Sequence, residues 1–359
     1  MMMYLLLFAG LFMGWSLGTN DAANAFGTAV ATRVIKYRTA VTIIAVLVVV
    51  GAFAAGANNI DKVAELATSN KVTATTAEVY AAIEAGEAQV LQLKSAMKAA
   101  IIFACAGITV FIMSYLQFPV SANQSITGAI IGWGLFHANY SDPAVLAVNL
   151  PQIGKFAATW VLNPLGAGII SFVLVKFVNR FLTKKLLTLG GYDMIIKTGY
   201  LIAGAFASFS IGMNSSANVT ALYYDAAFMQ TGVAANLLTD ARLTATIGGI
   251  AIAVGVLTFS KRVMMTVGGN IAAISQLDGF LVIIGMALTV VIMGNWMGIP
   301  VSTSQAVVGA VIGAGLVRGT DNIHFSVLKR IAMAWVSSPT VAGVLTYIVA
   351  VVTQGYFAA

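Results

Sequence analysis

GTNDAANA, at residues 18–25, is the stretch around which this chain is organised. Its carboxylate, Asp21, lies within a long apolar segment that has no basic residue on its amino-terminal side. An ionisable side chain near the centre of a bilayer costs roughly 2.5 to 3.5 kcal/mol on insertion scales, so it usually marks the path of an ion or substrate. A degraded copy, GMNSSANV, returns at residues 212–219. Such a repetition constrains the whole architecture.

The composition indicates a membrane protein. Of the 359 residues, 59% are hydrophobic and 9% are charged, and the mean hydropathy is +0.92, whereas about a quarter of a soluble domain is charged. Many apolar stretches approach the roughly 20 residues that a membrane helix needs. We therefore expect an all-α, multi-pass protein of the cell membrane (the cytoplasmic membrane in a prokaryote) with about 10 to 12 membrane elements. No basic–aromatic pattern indicates nucleic acid as a partner.

Two further pairs of motifs divide the chain into halves. PVSANQSITGAIIGWGL at residues 119–135 aligns without gaps on PVSTSQAVVGAVIGAGL at residues 300–316, with ten of seventeen positions identical. WVLNP at residues 160–164 likewise matches WVSSP at residues 335–339. Three motifs in one order predict a first repeat at 1–180 and a second at 198–359, joined by a basic cytoplasmic linker at 181–197.

Loop charges indicate that the halves are inverted. The loop after the first motif carries Arg33, Lys36 and Arg38, whereas its counterpart after residue 224 has a net charge of −1. The predicted extramembrane loop at 58–97 has a net charge of −2, and its counterpart has +1. Lysine and arginine favour cytoplasmic loops, so equivalent loops lie on opposite faces. The sequence predicts inverted-topology repeats with helices broken near Gly18 and Gly212 and re-entrant half-helices at residues 119–136 and 300–316.

The repeated motif is a candidate cation site. Asn20, Asp21 and Asn24 project to nearly one side of a helix, and Asn214 and Asn218 repeat the four-residue spacing. Carboxylate and carboxamide oxygens at a helix break are hard ligands, suited to Na⁺ or to a proton carried on the aspartate. Hydrogen bonding between helices is the alternative role of any single asparagine.

The two Pro-Val-Ser elements form a candidate anion site. A proline followed by hydroxyl residues within an apolar element predicts a helix that begins inside the membrane. Two such helix N-termini offer free amides and the positive end of each dipole without any lysine or arginine. The side chains concerned are Ser121, Gln124, Ser125, Ser302, Thr303, Ser304 and Gln305. Simple capping is the alternative reading of either element alone.

Other patterns carry less functional weight. The GxxxG pairs Gly128/Gly132 and Gly309/Gly313 occupy matching positions of the two halves, and we interpret them as sites of close helix packing. No Walker loop, nucleophile elbow, His/Cys metal cluster or pair of catalytic carboxylates is present, so the sequence does not indicate an enzyme.

GTNDAANA resembles the GANDVANA signature of the inorganic phosphate transporter (PiT) family, and the elements at Pro119 and Pro300 resemble that family's paired motifs. The resemblance implies symport of inorganic phosphate with Na⁺ or H⁺, an inverted repeat, often a homodimer, and no organic cofactor. The chain departs from the family at Ser215, because the second signature usually carries an aspartate there. Asp21 alone then supplies the fixed charge, unless Asp225 contributes from nearer the membrane surface.

On this basis we expect phosphate between the two helix tips and Na⁺ beside it. The expected phosphate ligands are Ser121, Asn123, Gln124, Ser125, Ser302, Thr303 and Ser304. The expected Na⁺ ligands are Asn20, Asp21, Asn24, Asn214 and Asn218, with Gln124 or Gln305. Na⁺ would neutralise Asp21, which otherwise repels the anion at close range.

Several alternatives remain open from the sequence. Within transport, Asp21 could titrate in an H⁺-coupled mechanism, and the substrate could be a metal–phosphate complex or sulfate, since hydroxyls and amides select tetrahedral oxyanions only loosely. From other classes, the scaffold could serve as an anion channel or as a nutrient receptor that does not transport. A channel would be expected to carry basic charge on the pore wall, whereas the sequence places hydroxyls and one aspartate there.

Overall fold

A computed structural model describes residues 2–60, 88–140, 150–181, 189–223, 240–296 and 301–355. Within these ranges the chain forms twelve α-helices, and the only β-pairing is an isolated bridge between Ala272 and Ile323. The helices are α1 (Met2–Ala31), α2 (Tyr37–Ala55), α3 (Ala88–Tyr115), α4 (Ala122–Tyr140), α5 (Leu150–Phe181), α6 (Leu189–Ser215), α7 (Ala217–Thr220), α8 (Ala241–Phe259), α9 (Lys261–Met265), α10 (Gln276–Thr289), α11 (Thr303–Val317) and α12 (Phe325–Val352).

Seven of the described helices are long and apolar enough to cross a membrane, namely α2, α3, α5, α6, α8, α10 and α12. The predicted all-α, multi-pass membrane class is confirmed. Most of the predicted loop at 58–97, part of the linker at 181–197 and Asp225 lie outside the described residues. The predicted loop ends in a helix, because α3 begins at Ala88. The end of the predicted linker is likewise helical, because α6 begins at Leu189.

The helix break predicted at Gly18 is wrong, because α1 is continuous from Met2 to Ala31. A methyl group on Gly18 would lie 2.0 Å from the carbonyl oxygen of Ile252 in α8, so this glycine allows two helices to touch. Gly212 has the same role against the carbonyl of Val48 in α2, also at 2.0 Å. The second half is interrupted four residues after Gly212, where α6 ends at Ser215 and α7 begins at Ala217.

The GxxxG pairs lie at close helix contacts, as predicted, and each contact joins one half to the other. A methyl group on Gly309 or Gly313 of α11 would lie 2.0 Å from the carbonyl of Pro164 or Gly168 in α5, respectively. The equivalent positions of α4, Gly128 and Gly132, meet the carbonyls of Pro339 and Gly343 in α12 at 2.1 and 2.0 Å, respectively. Each short Pro-Val-Ser helix therefore packs on the last helix of the opposite half.

One pair of equivalent helices, α2 and α8, runs in opposite directions, as the predicted inverted repeat requires. Tyr37, the first residue of α2, places its hydroxyl 3.1 Å from Ser260 Oγ, directly after the end of α8. The helix α2 is the second helix of the first half, and α8 is its counterpart in the second. An inverted repeat requires this antiparallel relation.

An ion pair fixes the far end of α11. Arg318, which follows α11, donates from Nε to Asp278 Oδ2 at 2.5 Å. The Asp278 side chain is fully buried in the first turn of α10, where it and Ser275 form a capping box. The Nδ2 atom of Asn179, from α5, donates to the other carboxylate oxygen at 3.3 Å. These bonds hold α5, α10 and α11 in a fixed relation and so help to position the opposite tip of α11.

Candidate functional site

Two capped helix N-termini meet inside the protein. Ser121 Oγ accepts from the amide of Gln124 at 3.3 Å and caps α4, while Ser302 Oγ accepts from the amide of Gln305 at 3.2 Å and caps α11. Both serines are buried. The expectation that helices begin inside the apolar core at these serines is met, although α4 continues to Tyr140 and is longer than the predicted half-helix. The first amides of each helix have no partner within the helix and face outward from its tip.

Asp21 lies beside the tip of α11. The carboxylate is 4% exposed and accepts from Ser304 Oγ at 3.1 Å, from Asn24 Nδ2 at 3.2 Å and from Ser215 Oγ at 3.2 Å. All three partners are neutral, and no basic side chain in the described part of the chain pairs with it. Ser215 occupies the position equivalent to Asp21 in the second half. The two equivalent residues are therefore hydrogen-bonded to each other.

Asn24 joins α1 to the tip of α11. Its Nδ2 group lies 2.9 Å from Thr303 Oγ1 and 3.0 Å from Ser304 Oγ. The Oδ1 atom is buried and has no hydrogen-bond partner among the described residues. The structure therefore joins Asp21, Asn24 and Ser304, which sequence reasoning had divided between the cation and anion sites.

The second motif forms a similar set of hydrogen bonds. Asn218, the counterpart of Asn24, donates from Nδ2 to Asn123 Oδ1, and Asn123 is the counterpart of Ser304. Asn123 also donates to the carbonyl of Val301 at 3.0 Å, and Asn214 donates to the same carbonyl at 2.9 Å. Each motif thus reaches the helix tip of the opposite half.

Asn20 is placed apart from the carboxylate. Its Nδ2 group donates to Ser114 Oγ at 2.9 Å and to the carbonyl of Phe118 at 3.0 Å, while its Oδ1 atom accepts from the amide of Val120 at 3.1 Å. These bonds hold the turn between α3 and α4. The side chain therefore positions the first helix tip, and no hydrogen bond joins it to Asp21.

A small polar cavity separates the two tips. It measures about 10 Å³, room for roughly one water molecule. Its lining consists of Asp21, Ser121, Ala122, Asn123, Asn214, Ser215, Asn218, Val301, Ser302 and Thr303. Four predicted phosphate ligands line it, namely Ser121, Asn123, Ser302 and Thr303. A phosphate ion, with five heavy atoms, needs more room than this.

Three other predicted residues, Ser125, Gln124 and Gln305, do not line the cavity. Ser125 Oγ donates to the carbonyl of Ser121 at 3.4 Å and does not line the cavity. Gln124 and Gln305 are buried and also lie off the cavity lining. Among the described residues, Gln124 Oε1 and both carboxamide atoms of Gln305 have no hydrogen-bond partner. These two glutamines are equivalent in the repeat.

Two residues at the site are not among the predicted ligands. Ser215, which stands where the second signature usually has an aspartate, binds Asp21 through its hydroxyl. Asn163 of α5 donates from Nδ2 to the carbonyl of Ser302 at 2.6 Å. The signal for Asn163 in the sequence is an amide side chain directly before Pro164, in a repeated motif whose second copy has Ser338.

Asn163→Leu should raise the KM for phosphate about fivefold with little change in maximal rate, because one neutral hydrogen bond to the tip of α11 contributes about 1 kcal/mol. Initial rates of uptake over a range of phosphate concentrations measure both constants. Ser338→Ala is the matched control, since that hydroxyl is buried at the equivalent position and has no described partner. Equal kinetics in the two variants would show that Asn163 does not position the site.

Comparison with known proteins agrees with this architecture. A family model described as "Phosphate transporter family" matches residues 17–346. A Thermococcus kodakarensis protein, provisionally named a phosphate permease, is 26% identical over 95% of this chain and 95% of its own. A Pyrococcus abyssi protein with the same provisional name is 27% identical over 96% of each chain.

A solved structure described as "The sodium-dependent phosphate transporter" matches this chain with a TM-score of 0.78 at 23% identity, and the match covers 99% of both chains. It shows that the overall fold is shared. The family match extends from the first motif through the WVSSP motif, and so includes every helix that forms the cavity. The chain therefore belongs to the phosphate transporter family and is a multi-pass membrane protein that transports phosphate, not an enzyme.

Proposed function

We propose that this protein imports inorganic phosphate by symport with Na⁺ through alternating access of one cavity to the two membrane faces. The observation that carries the proposal is the Asp21 carboxylate, buried beside the helix tips with neutral partners only. The structure described as the sodium-dependent phosphate transporter, which has the same fold, supports the choice of ion.

A cation at Asp21 would satisfy the electrostatics of the site. A buried carboxylate without a paired cation is costly, because hydrogen bonds to neutral groups replace only part of its hydration. The Ser215 hydroxyl lies 3.2 Å from the carboxylate, and Asn24, whose Nδ2 group donates to the carboxylate, has a buried Oδ1 atom without a partner among the described residues. Both side chains could supply further oxygen ligands. We assign Asp21, Asn24 and Ser215 as the centre of the Na⁺ site, with Asn214 and Asn218 bordering the same cavity.

Phosphate would bind at the two helix tips. Ser121, Asn123, Ser302 and Thr303 line the cavity with hydroxyl and amide groups. Ala122 and Thr303, the first residues of α4 and α11, also border it, and a helix N-terminus favours an anion. Asp21 borders the same cavity, so an anion would experience strong repulsion unless a cation lay between them. Each ion therefore improves the binding of the other, which is the coupling that symport requires.

The size of the cavity supports a conformational cycle. The present cavity holds about one water molecule, so phosphate enters only when the tips of α4 and α11 separate. Each tip belongs to a helix that packs on the last helix of the opposite half. Rocking of these two helix pairs about the Asp21–Ser215 contact would open the cavity to one face and then to the other.

The decisive experiment is phosphate uptake into proteoliposomes under separate Na⁺ and pH gradients. We expect uptake against a phosphate gradient with an inward Na⁺ gradient and no pH difference. Uptake that ignores Na⁺ and follows the pH gradient would assign the coupling to protonation of Asp21. Phosphate flux without either gradient would indicate a channel, and binding without uptake would indicate a receptor. Competition by excess sulfate tests the choice of anion in the same vesicles.

A further inference from the structure

An apolar groove runs along the outer side of α1 and α8, away from the phosphate cavity. It measures about 510 Å³. Its lining is entirely hydrophobic and consists of Phe8, Leu11, Phe12, Trp15, Ile247, Ile250, Ala251 and Val254. Trp15 donates its ring N–H to Thr258 Oγ1 at 2.9 Å, so the one polar group of these side chains is already satisfied. Such a groove has no ligand for an ion and fits a hydrocarbon chain.

Aromatic rings continue the groove toward the end of α8. Trp15 lies 5.9 Å from Phe12, inside the groove, and 5.2 Å from Phe111 of α3. Phe111 lies 5.8 Å from Phe259, the last residue of α8. The guanidinium of Arg262 then lies 5.3 Å from the centre of the Phe259 ring and 5.0 Å from that of Tyr115. One continuous apolar surface therefore ends at a cation.

This cation lies where the apolar surface meets water. The helix α8 has 19 residues, about the length that crosses the hydrocarbon core, and Lys261 and Arg262 follow it after Ser260. Aromatic side chains beside basic ones are typical of a membrane–water interface.

Four basic side chains, Lys36, Arg38, Lys261 and Arg262, lie near the end of α8. Lys261 lies 5.9 Å over the ring of Tyr37, and Lys36 and Arg38 are exposed on either side of that tyrosine. None of these four basic side chains forms an ion pair with an acidic group in the described part of the chain. An uncompensated basic cluster at an interface attracts anionic headgroups.

We infer that this groove binds one anionic phospholipid. The headgroup phosphate contacts Arg262 and Lys261, and one acyl chain follows the aromatic rings into the groove between α1 and α8. The sixteen residues from Ile247 to Arg262 extend about 22 Å, and half of the hydrocarbon core is about 15 Å thick, so the groove can take one chain together with its headgroup. A free phosphate ion could meet the arginine but would leave the groove unfilled.

Trp15 allows a direct test, because acyl chains that carry bromine quench tryptophan only at contact distance. The protein would be reconstituted in phosphatidylcholine with a minor fraction of brominated phosphatidylglycerol or brominated phosphatidylcholine. The Trp15 signal is the difference between the protein and Trp15→Phe. We expect the anionic lipid to bind at least about fivefold more strongly, given the attraction contributed by each basic residue.

Variants decide whether the basic pair selects the lipid. Arg262→Gln with Lys261→Gln should reduce the quenching by phosphatidylglycerol to the level of phosphatidylcholine. Arg242→Gln, in the first turn at the other end of α8, is the matched control and should change nothing. Equal quenching by the two lipids in the unmodified protein, or a preference that survives the double substitution, would overturn the inference. So would the absence of quenching by either lipid, which would mean that protein, such as a second copy, covers the groove. The measurement is independent of the coupling ion.

Discussion

Asp21→Asn is expected to lower Na⁺-driven phosphate uptake by about 100-fold, because removing the charged partner of a desolvated ion costs about 3 kcal/mol. An asparagine side chain has nearly the same shape as the aspartate side chain that it replaces. An asparagine oxygen can still accept from Ser304 and Asn24, and its amide can donate to Ser215, so the contacts seen in the structure persist. The expected decrease in uptake therefore results from weaker ion binding and not from a folding defect. Radiolabelled phosphate uptake into proteoliposomes, normalised to reconstituted protein, measures it.

A matched substitution and a charge exchange sharpen this test. Asp321→Asn neutralises an exposed acid distant from the cavity and should leave uptake unchanged. The double variant Asp21→Ser with Ser215→Asp moves the single carboxylate to the equivalent position, since Ser215 Oγ lies 3.2 Å from the Asp21 carboxylate. Partial recovery of Na⁺-dependent uptake is expected there and not in Asp21→Ser alone. If Asp21→Asn kept full Na⁺ dependence, the carboxylate would not be the cation ligand.

Gly309→Ala should lower thermal stability markedly. The added methyl group would lie 2.0 Å from the carbonyl oxygen of Pro164, a backbone atom that cannot rotate away. Overpacking of this kind costs about 1 to 3 kcal/mol, which corresponds to a decrease of about 1 to 4 °C in melting temperature for a chain of this size. The helix α11 must move away from α5, which also displaces its tip. The melting temperature of the purified protein in detergent measures the loss of stability, and the KM for phosphate measures the displacement of the tip.

Gly154→Ala is the control for this substitution. Gly154 lies within α5, and a methyl group there would meet no atom within 4 Å. Alanine favours helix over glycine by about 1 kcal/mol, so this variant should melt at the same temperature or slightly higher. A lower melting temperature in Gly309→Ala together with an unchanged or higher one in Gly154→Ala would identify the contact with Pro164 as the cause of the destabilisation. If both variants melted alike, the close approach of α11 and α5 would not contribute to stability.

Local patterns in the sequence were enough for the class of the fold and for the helix tips. Hydropathy alone indicates membrane helices, and a proline followed by serine predicts where α4 and α11 begin, because both effects act within a few residues. Gly18 shows the limit of such reasoning. A glycine in a membrane helix can permit a break or a close contact, and only the position of α8 shows that this one is a contact.

The sequence by itself determined the membrane class, the two helix tips and the presence of one costly aspartate, since each follows from local hydrophobicity or capping. Only the tertiary structure decided the partners of that aspartate. Asp21 and Ser215 are 194 positions apart, and Asn163 and Ser302 are 139 apart, yet each pair is hydrogen-bonded. Asn20 and Asn24 share one face of α1 but bind different helix tips. Hydrogen bonds depend on which helices pack side by side, and that packing results from glycine contacts between the two halves.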